Sequence, residues 1–390
     1  MTDYQHDLEA IDRDAAELQN EAKSGSLDKQ QITRLAYRIY QRAALTGRPD
    51  DFVAAEAAIN AAFQQISAWP DLCLLKAHLD MKLHRLVETK YDLDLAPGLA
   101  GSFAGRVVWA DIHLQEGRYQ EAKQSCEALI AENRTWDLLA RLAFWESKFG
   151  DINDALRLYT EAEDEITAKE MRGYAWVQLQ KGLIALRAGR FDEAAEHYHR
   201  AGQSYSGYWL VDDHMAELLA TEGRYDEAVK LYKGVIEATP KPELHQAFGE
   251  LYTAMGSLDD AEKHFDAALQ GFLTATDNGG IQYYHHLVDF FSDVRENGPE
   301  AVHWARKDYD LRRNYATEGA LGWALYRDDQ IDEALEMMTR ALASGVKDAH
   351  LFAKAATVEQ AAGNARAAED LTRRAFALNP HHQGFHVHRS

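Results

Sequence analysis

The sequence predicts an all-α protein, an α–α superhelix built from stacked antiparallel helix pairs, on three observations. A six-residue motif ending in alanine recurs at nearly constant spacing. Apolar residues between its copies follow the i, i+4, i+7 spacing of an amphipathic helix. Prolines number only 7 in 390 residues while alanine and leucine are abundant, a composition that favours helix.

The motif is glycine, any residue, an aromatic or aliphatic residue, any residue, an acid, then alanine. It reads GRYQEA (Gly117 to Ala122), GDINDA (Gly150 to Ala155), GRFDEA (Gly189 to Ala194), GRYDEA (Gly223 to Ala228) and GSLDDA (Gly256 to Ala261). Looser copies are DQIDEA (Asp329 to Ala334) and GNARAA (Gly363 to Ala368), with a shortened GPEA ending at Ala301. The eight alanines lie 33, 39, 34, 33, 40, 33 and 34 residues apart. Such a period marks a solenoid, in which each unit buries its apolar face only against its neighbours.

Each part of the motif has a physical task. Glycine ends one helix with the permissive backbone a tight stop needs. The acid falls in the first turn of the next helix, where the helix dipole favours negative charge. Alanine is small enough for two helices to approach closely. Four residues on, an aromatic shares its face (Tyr159, Tyr198, Tyr232, Phe265), and seven on comes a second alanine (Ala162, Ala201, Ala268, Ala341, Ala375). Pro240 and Pro380 close the second helix in two copies. The long first interval is expected to extend the helix or loop around Asp164 to Gly173. The second contains the loop signal Thr276 to Gly280.

Before residue 103 the pattern is looser. Helices are expected over Ile32 to Gly47 and Phe52 to Ile66, turning at Gly47 to Asp51, and then as one helix from Asp71 to about Lys90 before a loop at Ala96-Pro97-Gly98. Residues 1–28 are expected to form a helix with a frayed lead-in. The chain thus divides into an N-terminal region with degenerate, capping repeats (1–102), a repeat array (103–382) and a histidine-containing tail (383–390), either loose or laid over the last helix.

The units resemble the tetratricopeptide repeat: 34 residues, two antiparallel helices, small residues at the crossing and a proline near the end. Gly182, Gly249 and Gly322, each twelve residues before its alanine, stand where that family keeps a small residue in the first helix. The resemblance covers roughly 103–382. It implies about ten repeats whose first helices line a concave groove that holds a protein or peptide. By those landmarks the groove carries Asp137, Arg141, Trp176, Gln180, Asp213, His214, Glu217, Gln246 and Glu250, extended by Gln282, His286 and Asp289. Of His285 and His286, adjacent and so about 100° apart on a helix, one is expected to face the groove. One class of the family clamps acidic chaperone tails with lysine, asparagine and arginine. The equivalent positions here are Val107, Asp111, Ala140, Arg141, Leu179 and Gln180, of which Arg141 alone fits.

Composition excludes several functions. With 63 acidic against 42 basic residues, net charge −21, the chain repels phosphate backbones, so no nucleic-acid partner is expected. Cys73 and Cys126 form no CxxC pair, which argues against a cysteine-based zinc module. The polar, acidic start has no signal-peptide character, and no apolar run is long enough to span a bilayer. A cytoplasmic location without membrane insertion follows. No GxxxxGK[ST], HExxH or GxSxG motif occurs, so neither an enzyme nor a cofactor is expected. The remaining chemical signal is histidine. His381, His382, His386 and His388 are weak candidates for a transition-metal ligand set, and they define the alternative of a metal-handling accessory protein. The primary expectation is a scaffold or adaptor that binds a peptide or protein segment in its groove and that can also self-associate.

Overall fold

A computed structural model describes residues 1–25 and 27–385; among them every regular element is helical. A leading helix α1 (Asp3–Ser24) precedes ten hairpins. The first five pair α2 (Lys29–Thr46) with α3 (Pro49–Ile66), α4 (Pro70–Lys82) with α5 (Leu86–Leu95), α6 (Phe103–Gln115) with α7 (Tyr119–Glu132), α8 (Trp136–Phe149) with α9 (Ile152–Glu165), and α10 (Met171–Arg187) with α11 (Phe191–Ser204). The last five pair α12 (Trp209–Thr221) with α13 (Tyr225–Ala238), α14 (Pro242–Ala254) with α15 (Leu258–Asp277), α16 (Tyr284–Asp289) with α17 (Gly298–Leu311), α18 (Tyr315–Arg327) with α19 (Ile331–Ala343), and α20 (Ala349–Ala361) with α21 (Ala365–Leu378). Hairpins of the same kind therefore also occupy the looser first hundred residues.

The small residues and aromatics of the motif interlock inside each hairpin. Ala155, Ala194, Ala228 and Ala334 have no exposed surface. Tyr198 fills the space above Gly182, where any Cβ would overlap its ring, and a Cβ on Gly249 would stand 2.5 Å from the Phe265 ring. Burying one such aromatic supplies roughly 1.5–3 kcal/mol, repeated unit after unit.

Residues 71–90 depart from expectation. The single helix expected there is a hairpin that turns at Leu83–Arg85. Glycine, the stop signal elsewhere, is absent, and His84 takes the left-handed conformation itself at φ +61°. The tail also differs. Instead of lying over α21, residues 380–385 cross to the α10–α13 region. There the His381 ring lies tilted against Phe191 at 5.1 Å between ring centres, and the Thr221 hydroxyl donates to the Phe385 carbonyl at 2.8 Å.

That crossing continues a regular pattern. The turn inside each early hairpin docks on connections between hairpins 164 to 200 residues later. The Trp209 indole donates to the Leu45 carbonyl at 3.1 Å, and Arg48 donates to the Ala238 carbonyl. Arg85 donates to the Gly279 carbonyl at 3.1 Å across 194 residues, and Asn314 to the Gln115 carbonyl at 2.9 Å across 199. Lys148 faces Asp348 at 3.5 Å across 200. One superhelical turn thus takes about six 34-residue units, and the second turn rests on the first. The motif glycine serves this docking at Gly117: φ is +74°, and a Cβ would stand 2.7 Å from the Arg313 carbonyl. At Gly256, in the second turn, φ is +76° but nothing lies within 4 Å.

Candidate binding site

Because the turns touch, the concave face is a lumen rather than an open groove. It encloses a cavity of about 1750 Å³ with walls from α1 to α18, larger than the roughly 300–1,000 Å³ of small-molecule pockets. Among the described residues its wall carries seven lysines and arginines against eight carboxylates, a far more even balance than the 42 against 63 of the whole chain.

Of the residues expected on the groove, Asp137, Arg141, Trp176, Gln282, His286 and Asp289 line this cavity. Gln180, Asp213, His214, Glu217, Gln246 and Glu250 do not. Asp213, His214 and Glu217 are buried to 3%, 6% and 0% exposure, with His214 stacked on Tyr198 at 5.9 Å and its Nδ1 3.7 Å from Glu217. The helical spacing put them on the first helix correctly. The seam against the neighbouring helices covers more of that helix's circumference than one concave stripe leaves open. Gln246 donates to Glu250 at 3.0 Å along α14. His285 lines the cavity beside His286, although one of the two was expected to turn away. The wall wraps around the start of the short α16, so both faces contribute.

Two regions of the wall differ in chemistry. One is aromatic. Trp136 and Trp176 lie 6.4 Å apart, the Trp136 indole donating to Glu170 at 3.1 Å, and Tyr205, Tyr208 and Trp209 continue the surface. Beside them Arg141 donates to Asp111 at 2.9 and 3.1 Å and to Asp137 at 3.0 Å. Burial alone would lower its pKa, but the two carboxylates raise it. With its fork filled by two aspartates, Arg141 is a wall brace and not a clamp awaiting a ligand.

The other region is basic: Lys82, His84, Lys241, His285, His286 and Arg312. Lys241 pairs with Glu243 and stands 4.7 Å from the Trp209 ring centre; Arg312 pairs with Asp308 at 2.9 Å. His84 and His285 lie 5.6 Å apart, and His285 and His286 4.1 Å. Burial, then the positive charge of Arg312, Lys82 and His286, drives His84 well below the ordinary histidine value. Burial, His286, Arg312 and His84 do the same to His285. Lys82 is lowered by burial and by Lys241. Lys82, His84, Lys241 and Arg312 escape sequence reasoning because they sit at helix ends, outside the first-helix stripe. Only the six-unit winding brings them together.

Of the tail histidines, His381 packs against the Phe191 ring, and the His382 ring Nδ1 lies 2.9 Å from the Asn379 carbonyl. His386 and His388 lie outside the described residues. Among the described residues no group of three or more histidine, cysteine, aspartate or glutamate side chains is arranged to hold a metal ion. No helix among them is long and apolar enough to cross a membrane.

The family profile of the tetratricopeptide repeat matches residues 185–248. A curated relative is the TPR repeat-containing protein YpiA of Bacillus subtilis (strain 168). It is 24% identical over 243 residues, covering 59% of this chain and 54% of its own length. The chain thus spans about half the length of that relative. Among solved structures, a tetratricopeptide repeat protein from Parabacteroides merdae is 14% identical over 71% of this chain and 93% of its own, with a TM-score of 0.37. Yeast Tom70 is 14% identical over 95% and 97%, with a TM-score of 0.38.

Proposed function

We propose, from the premise that this chain is a tetratricopeptide-repeat protein, that it is a non-catalytic cytoplasmic scaffold that takes a peptide or protein segment into its lumen. The fold is suited to protein–protein interaction in general. The observation that carries the narrower reading is the cavity of about 1750 Å³ ringed by the two superhelical turns, too large for a typical small ligand and lined by both aromatic and polar side chains. Aromatic rings on pre-formed helices offer contact area at little entropic cost, and the surrounding polar groups set the register of an extended chain.

Site-specific photo-crosslinking tests this reading. Ala316 lines the lumen, whereas Val87 on the second helix α5 is 76% exposed and does not. A benzoylphenylalanine placed at 316 is expected to capture a polypeptide from the native lysate that the same group at 87 does not. Capture at 87 with none at 316 would move binding to the outer surface and end the lumen reading.

A further inference from the structure

The basic region of the lumen is assembled with unusual backbone. His84 sits in a left-handed turn at φ +61°, a conformation that is strained for a residue with a Cβ. His285 and His286 lie on the six-residue helix α16, which runs directly into a π-helical turn at Phe290–Val294. Irregular backbone of both kinds concentrates where side-chain placement matters more than local stability. The two segments belong to different superhelical turns and are pinned by the Arg85 bond to the Gly279 carbonyl.

Lys82, Lys241 and Arg312 share this wall with Glu243, Asp289 and Asp308. Lys241 and Arg312 each have a carboxylate, Glu243 and Asp308. Asp289 on α16 is 4.0 Å from Lys354, and Asp80 and Glu56 engage Arg85. Lys82 reaches the cavity yet makes no ion pair among the described residues. In a chain of net charge −21, a lysine whose side chain is exposed to the lumen beside two further cations and three imidazoles, with Glu243 as the one acid acting on it, is the exception.

We propose that this end of the lumen is an oxyanion site, in which Lys82, His84 and His285 grip a phosphate or carboxylate group of the lumen's occupant. The identity of the carrier rests on the lumen reading above; the anion site itself does not. Burial and neighbouring cations keep His84 and His285 neutral. A bound anion reverses that field, favours the imidazolium and raises both titrations, so the site takes up protons and binds more tightly as pH falls.

The test uses the full chain with labelled histidines, titrated by NMR in chloride, acetate and inorganic phosphate at matched ionic strength. His84→Asn and His285→Gln assign the two signals, asparagine being tolerated in the left-handed turn. Phosphate is expected to move both titrations up by about one pH unit, a tenfold effect, and Lys82→Gln to remove most of that shift. A shift in phosphate alone identifies a phosphate site; equal shifts in phosphate and acetate identify a carboxylate-accepting one. No shift in either, or a shift that survives Lys82→Gln, overturns the proposal. If crosslinking at 316 fails while the phosphate shift is present, the peptide reading falls and the anion site stands.

Discussion

At the scale of single residues, the clearest consequence lies outside the lumen, where α4 meets α5. Asp80, fully buried, accepts from Lys76 and lies 3.4 Å from Arg85, while Asp92 is 4.0 Å from Lys76. Burial, then a hydrogen bond with Asp80, pushes Asp92 up to about 8 against the pull of Lys76. Two close carboxylates share one proton here. A carboxyl raised in the fold contributes stability that is intact below the unfolded value near 3.9 and is lost as pH climbs through about 8. Asp92→Asn keeps the donor to Asp80 and removes the titration. Its melting temperature relative to wild type is therefore expected to rise between pH 5 and pH 8.5, by roughly 2–4 °C. A difference that stays flat with pH would show that Asp92 is ionised throughout. The Asp80–Asp92 contact was not legible in the sequence, because the turn joining α4 to α5 carries no glycine and the segment reads as one helix.

At the scale of the helix pair, the motif was legible, and the structure explains its small residues by contact. Gly182 in α10 lies against the Tyr198 ring of α11, while Gly234 in α13 has nothing within 4 Å of a built Cβ. Alanine at 234 is expected to stabilise by about 0.5–1 kcal/mol through helix propensity. At 182 the same change displaces the Tyr198 ring and is expected to destabilise by about 1–3 kcal/mol. Thermal melts of the two variants decide between interlock and coincidence, since equal effects would leave the repeat's small position unexplained. The same reasoning accounts for the groove residues that became buried. Asp213, His214 and Glu217 keep their first-helix register, but the width of the inter-hairpin seam depends on how neighbouring units rotate, which one unit's sequence does not state.

At the scale of the whole molecule, the contacts between turns hold the wall of the lumen together. The accessible surface is 17890 Å², against about 15,500 Å² for a compact monomer of 44.0 kDa; an internal lumen accounts for area of this kind. Lys148 and Asp348 form one strap, with the Lys347 amide donating to the Lys148 carbonyl at 2.8 Å. Burial would raise Asp348, yet Lys148 and Arg187 hold it down at about 2. Lys148→Met leaves that carboxylate enclosed without its partner and is expected to cost about 3–5 kcal/mol. Because the strap joins turns and not neighbours in a hairpin, the loss should appear as expansion in small-angle scattering with helicity retained. A scattering curve identical to wild type would mean the turns hold together without it.

The sequence by itself determined the hairpins of the repeat array and the interlock within them, since each depends on residues within about one 34-residue repeat of one another. The tertiary structure alone decided that the superhelix closes on itself, that the tail docks on α10–α13, and that Lys82, His84, His285 and Arg312 share one wall. A small rotation per repeat, accumulated over about six units, sets whether successive turns meet. No local pattern encodes that sum, so residues some 200 positions apart become neighbours only once the chain is wound.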